Sequence, residues 1–114
     1  MCASHYKLNN ITVIVDNNNF QQTGSNDQIM SLGDISLKWK SFNWNTSIID
    51  GHNFEQINSS LEKNLIDCPN VIIAKTIKGK GVSIFENNNI WHHAVITKKI
   101  YDEAMLEIEK KNGN

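Results

Sequence analysis

A chain of 114 residues is long enough for one small domain. Its 11 basic and 12 acidic side chains leave a net charge of −1, which argues against an electrostatic grip on nucleic acid or on an anionic membrane surface. No run approaches the roughly 20 apolar residues of a membrane-spanning helix, and the opening MCASHYKLNN lacks the apolar centre of a secretory leader. Cys2 and Cys68 are too few and too far apart for a disulfide framework, so a reduced, cytoplasmic setting is the expectation.

In chain order, the first eight residues read as the last turns of a helix that ends near Asn9-Asn10. The β-branched run Ile11-Thr12-Val13-Ile14-Val15 reads as a fully buried strand. It stops at Asp16-Asn17-Asn18-Asn19, whose side chains favour turns through their own hydrogen bonds. A polar loop is expected from Asp16 to Gly33, punctuated by Gly24 and Gly33. Asp34 can cap a helix with Ile35, Trp39 and Phe42 on one face. These aromatics, with Trp44, read as core or interface. Thr46 to Asp50 forms the second strand, closed by Gly51. Asn53 and Gln56 have the spacing of a capping box. The helix they start carries Phe54, Ile57, Leu61 and Leu65 at helical spacing, and Pro69 ends it. Val71 to Ala74 is a third, continuously apolar strand. A last helix from Thr97 is expected to bury Tyr101, Ala104, Met105 and Ile108, with Lys98, Lys99, Lys110 and Lys111 on its solvated face.

Apolar strands that alternate with helices predict an α/β fold: a parallel sheet of about three strands with about four helices, layered on both faces. Such a sheet is thin, since about five or six strands is usual. The expectation is a piece of a larger domain. In an open parallel sheet, ligands sit where the strands end. Asp16 to Asn19 follow the first strand. The third is followed by Thr76 to Ile96, a loop of a length that is usually functional. Lys75, Lys78 and Lys80 alternate there with Gly79 and Gly81, and Trp91-His92-His93 follows. Lysines neutralise phosphate, glycines admit close backbone approach, and one imidazole can donate a hydrogen bond or carry a proton. Oxygens on one side and lysines on the other suit Mg²⁺ shared with a phosphate ester. Asp16 and Asp50 read as strand-end turn formers, and His52 as structural.

Taken together, YKLNNITVIVDNNNFQQTG, WKSFNW, IIDGHNFEQI and IIAKTIKGKGVSIFENNNIWHH resemble the N-terminal, thiamine diphosphate-binding region of transketolase. They are most similar to the compact form split into N- and C-terminal subunits. The resemblance implies a three-layer αβα thiamine diphosphate-binding fold, present here in its C-terminal part. It implies Mg²⁺ bound by the Asn18 side-chain oxygen and the Phe20 carbonyl. It places Gln22 against the cofactor rings, and Lys78 and His92 towards the diphosphate and the reacting centre, with His92 in the catalytic role. The family usually follows that histidine with glycine; here it is His93. The Gly-Asp-Gly that opens the family's metal motif would lie upstream of Met1. The implied activity is two-carbon ketol transfer between sugar phosphates, with the chain inactive alone. Its partner would be a C-terminal transketolase subunit or domain in a dimeric assembly, since the activating glutamate belongs to the pyrimidine-binding domain. The alternatives are a truncated, non-catalytic remnant, a fragment of a related enzyme such as deoxyxylulose-phosphate synthase, or a small phosphate- or nucleotide-binding module.

Overall fold

The run Val71-Ile72-Ile73-Ala74 is the most buried segment of the chain, and it lies in the middle strand of a parallel sheet. The computed structural model describes residues 1–63 and 66–113. Its elements are α1 (Cys2–His5), β1 (Thr12–Asn17), β2 (Phe20–Gln21), β3 (Gly24–Ser25), α2 (Asn26–Ile29), α3 (Ile35–Ser41), β4 (Asn45–Asp50), α4 (Phe54–Leu61), β5 (Asn70–Lys75), a 3₁₀ turn (Asn89–His92) and α5 (Lys98–Asn112). They group into two compact units, Met1–Asn18 with Leu32–Thr76, and Asn19–Ser31 with Ile77–Asn114.

The first unit is the parallel sheet, in the order β1-β5-β4. Side chains alternate between its faces. On one face, Trp44, Val71 and Ile73 pack with Ala3 of α1, Ile35 and Trp39 of α3, and Ile11, Val13 and Val15. Trp39 and Trp44 meet edge to face at 4.8 Å. On the other, Ile49, Ile72 and Ala74 pack with Ile57 of α4. Helices therefore cover both faces, as the alternation of elements predicts.

The edges depart from expectation. β1 is an edge strand, and Ile14, on the α4 face, is 58% exposed. A β-branched run thus reads as buried on both sides although only β5 is. β1 also continues through Asp16 and Asn17, because parallel pairing with Ala74 and Lys75 satisfies their backbones. Along α4 only Ile57 joins the core; Phe54 is 80% exposed and Leu61 is also exposed. Leu65 lies outside the described residues. Phe42 stands one position past α3 and is exposed. Helix starts follow the sequence closely: Asp34 Oδ1 accepts from the Leu37 amide, and Asn53 Oδ1 from that of Gln56. The capping box is only half formed, since Gln56 Oε1 accepts from the Asp50 amide instead of that of Asn53.

The second unit holds the β2-β3 ribbon, α2, the segment after Thr76, and α5. The predicted loop from Asp16 to Gly33 therefore contains regular structure. Asn19, at φ +65°, makes the left-handed bend into β2, a conformation asparagine tolerates better than most residues. In α5, Ala104 is buried and Met105 and Ile108 are half-buried, while Tyr101 is 52% exposed. Lys111 is not simply solvated: its Nζ donates to the Gly81 carbonyl and to Glu107.

Candidate functional site

Parallel pairing brings three strand ends to one edge of the first unit. Asn17 and Asp50 both stand opposite Lys75. The segments that continue from β1 and β5 therefore start beside each other, with the Thr76 amide donating to the Asn17 carbonyl. Asp16 accepts at Oδ2 from Asn18 Nδ2 at 3.1 Å and at Oδ1 from the Thr76 hydroxyl. Asp50 behaves differently: its Oδ1 accepts from the His52 amide, an ordinary turn. Thr76 is further held by Gly51, where a Cβ would stand 2.5 Å from Thr76 Cγ2.

In the second unit, Phe20 is half-buried in β2 opposite Ser25, and Gln22 is exposed at the ribbon's turn. Its neighbour Gln21 donates from Nε2 to the Met30 carbonyl. Lys78 is half-buried and lines a cavity of about 180 Å³ with Gly79, Phe85, Trp91, Ala94 and Ile96. Phe85 and Trp91 meet edge to face at 4.7 Å, and Trp91 Nε1 donates to the Ile84 carbonyl. His92, on the 3₁₀ turn, is exposed and does not line this cavity. His93 is exposed with φ −150°. That backbone is open to any residue, so glycine is not required there.

The glycine-lysine segment is braced by α5. Glu107 accepts from the Ser83 amide and hydroxyl and from Lys111 Nζ, which also reaches the Gly81 carbonyl. The Lys111 ammonium, then Ser83, hold the Glu107 carboxyl down at about 2. Among the described residues no group of three His, Cys, Asp or Glu side chains is placed to hold a metal ion.

A family model described as the transketolase thiamine diphosphate binding domain matches residues 1–109. The chain belongs to the transketolase family. It is 35% identical to an apulose-4-phosphate transketolase subunit of Phocaeicola vulgatus, over 97% of this chain and 40% of that protein. It is 34% identical to the 6-deoxy-6-sulfo-D-fructose transketolase subunit SqwG of a Clostridium species, over 99% and 42% respectively. Among solved structures, transketolase from Campylobacter jejuni superposes with a TM-score of 0.84 at 26% identity, over 98% of this chain and 17% of that one. The chain thus spans about two fifths of the length of these subunit relatives.

Within this transketolase-type domain, sequence reasoning missed the bridging role of Asp16 and the brace between Glu107 and Ser83. The first had a weak signal in Asp-x-Asn at a strand end. The second, between residues far apart in the chain, had none.

Proposed function

We propose that this chain supplies part of the thiamine diphosphate-binding domain of a transketolase and works with a partner subunit that carries the pyrimidine-binding domain. The observation that carries the reading is the register of β1 and β5, which sets Asp16, Asn17, Lys75 and Thr76 at one C-terminal sheet edge. That edge is where open parallel sheets take ligands. The family match, and relatives that are themselves named as transketolase subunits, support the division of labour.

The donors fit Mg²⁺ in kind. Asn18 offers an amide oxygen, with its Nδ2 turned to Asp16, and Phe20 offers a backbone carbonyl; Mg²⁺ prefers such hard oxygens. Two neutral oxygens are too few for Mg²⁺, so phosphate, water and a carboxylate from elsewhere would have to complete the set. Lys78 would neutralise the diphosphate, Gln22 would face the cofactor rings, and His92 would move a proton at the reacting centre. When bound, thiamine diphosphate would supply the chemistry of two-carbon ketol transfer between sugar phosphates.

The test is calorimetric titration with thiamine diphosphate and Mg²⁺. The chain alone should give no measurable heat of binding. Addition of a complementary piece carrying Gly-Asp-Gly should restore it. Micromolar binding by the chain alone refutes this account, and no binding with the complement favours the non-catalytic remnant.

A further inference from the structure

Asp16 does more than end a strand. Its parallel register with Ala74 places it on the face that also carries Ile49 and, two residues beyond Ala74, Thr76. From there one carboxylate oxygen accepts from Thr76 Oγ1 and the other from Asn18 Nδ2. Thr76 cannot swing away towards β4, because its Cγ2 is packed on Gly51 in place of a Cβ. The result is a chain of contacts, Gly51–Thr76–Asp16–Asn18, that links the ends of all three parallel strands.

An asparagine amide can present either its oxygen or its nitrogen, and the two faces are nearly isosteric. A carboxylate accepts but does not donate. Asp16 therefore permits only the nitrogen of Asn18 on its own side and assigns the oxygen to the other. We propose that Asp16 is a positioning residue for the metal: it fixes the Asn18 amide so that Oδ1 faces a hard divalent cation, and Thr76 holds Asp16 in that pose. This rests on the reading of Asn18 as a Mg²⁺ ligand. Outer partners of metal ligands commonly change affinity about 10- to 100-fold when removed. The Asp16 carboxylate adds a negative charge beside the ligand that favours the cation further.

The experiment uses the full chain with its Gly-Asp-Gly complement and reads the Mg²⁺ concentration needed for half-saturation with thiamine diphosphate. Asp16→Ala, Asn18→Ala and the double variant form a cycle, and Thr76→Val tests the outer link. Asp16→Ala should raise the Mg²⁺ requirement about 10- to 100-fold in the wild-type background and add little once Asn18 is alanine. Thr76→Val should give a smaller rise in the same direction. Asp16→Asn, which keeps the size and one acceptor, guards against loss of fold and should recover part of the affinity. A second readout needs no cofactor. The Asn18 side-chain amide protons should exchange slowly by NMR in the wild-type chain and quickly in Asp16→Ala. If Asn18→Ala leaves the Mg²⁺ requirement unchanged, the metal reading fails. If Asn18→Ala weakens binding but Asp16→Ala is neutral, or the two effects simply add, the positioning inference alone is overturned.

Discussion

Gly79 and Gly81 form a matched pair for testing how the lysine-bearing segment is held. Both have positive φ, +72° and +106°. A Cβ on Gly79 would stand 2.3 Å from the Phe85 carbonyl oxygen and 2.6 Å from its carbon, whereas one on Gly81 would meet nothing within 4 Å. Alanine at either site carries the left-handed penalty, about 1–2 kcal/mol. Only at Gly79 is there a further steric cost. The obstructing atoms belong to the backbone and cannot rotate aside, so overpacking adds about 1–3 kcal/mol. The Asn87 amide, which donates to the Lys78 carbonyl at 2.9 Å, closes this segment and is the reporter. Its hydrogen exchange should be roughly 5- to 150-fold faster in Gly79→Ala than in Gly81→Ala. Equal exchange in the two variants would mean that the Gly79–Phe85 approach does not hold the segment, and the reasoning would be wrong.

Glu107, held at about 2 against an ordinary value of 4.5, is depressed first by Lys111 and then by Ser83. A lowered folded-state value means that the group's contribution is complete above pH 4.5 and is lost as pH falls towards 2. The stability difference between wild type and Glu107→Gln should therefore be flat at neutral pH and shrink through that window in urea melts; a constant difference down to pH 2 would contradict the brace. Asn53→Ala removes the cap on the Gln56 amide and should cost about 1 kcal/mol of stability, read as a lower urea midpoint with the same slope. His92→Ala, assayed in the complemented assembly together with the partner subunit that carries the pyrimidine-binding domain, should lower kcat about 10²-fold or more while leaving the calorimetric affinity for thiamine diphosphate nearly unchanged. An unchanged kcat would remove His92 from the reaction.

The parallel sheet was legible in the sequence because apolar runs and capping residues are local signals. Asp34, Asn53 and Thr97 stand at the helix starts the structure shows. Which strand lies in the middle was not legible. Ile11 to Val15 and Val71 to Ala74 have the same β-branched character, yet the first is an edge and the second is enclosed. Burial on two faces is a property of neighbours, and a single strand does not name them. The β2-β3 ribbon escaped because each strand is two residues long, too short for alternation to register. Of the candidate site, residue types were readable and partners were not. Lys78 stands out in the sequence by its glycine neighbours, but its cavity companions Phe85 and Trp91 come from farther along the same loop.

The two strand-end aspartates show where the limit lies. Asp16 and Asp50 each end a β-branched apolar run, and only the asparagine two residues after Asp16, a weak signal, separates them in the local sequence. Register does. Asp16 stands opposite Ala74, while Asp50 stands opposite Lys75, one position on. Because side chains alternate strictly, that single step sends the two carboxylates to opposite faces. Asp50 turns back on its own chain and accepts from the His52 amide. Asp16 meets Thr76, which shares its face, and reaches Asn18. A one-residue difference in pairing thus separates a turn former from a residue that can orient a ligand. It also makes a direct prediction: Asp50→Asn should leave the Mg²⁺ requirement of the complemented assembly unchanged, because an asparagine oxygen still accepts from the His52 amide. A rise equal to that of Asp16→Ala would show that position at the sheet edge matters and that the face does not.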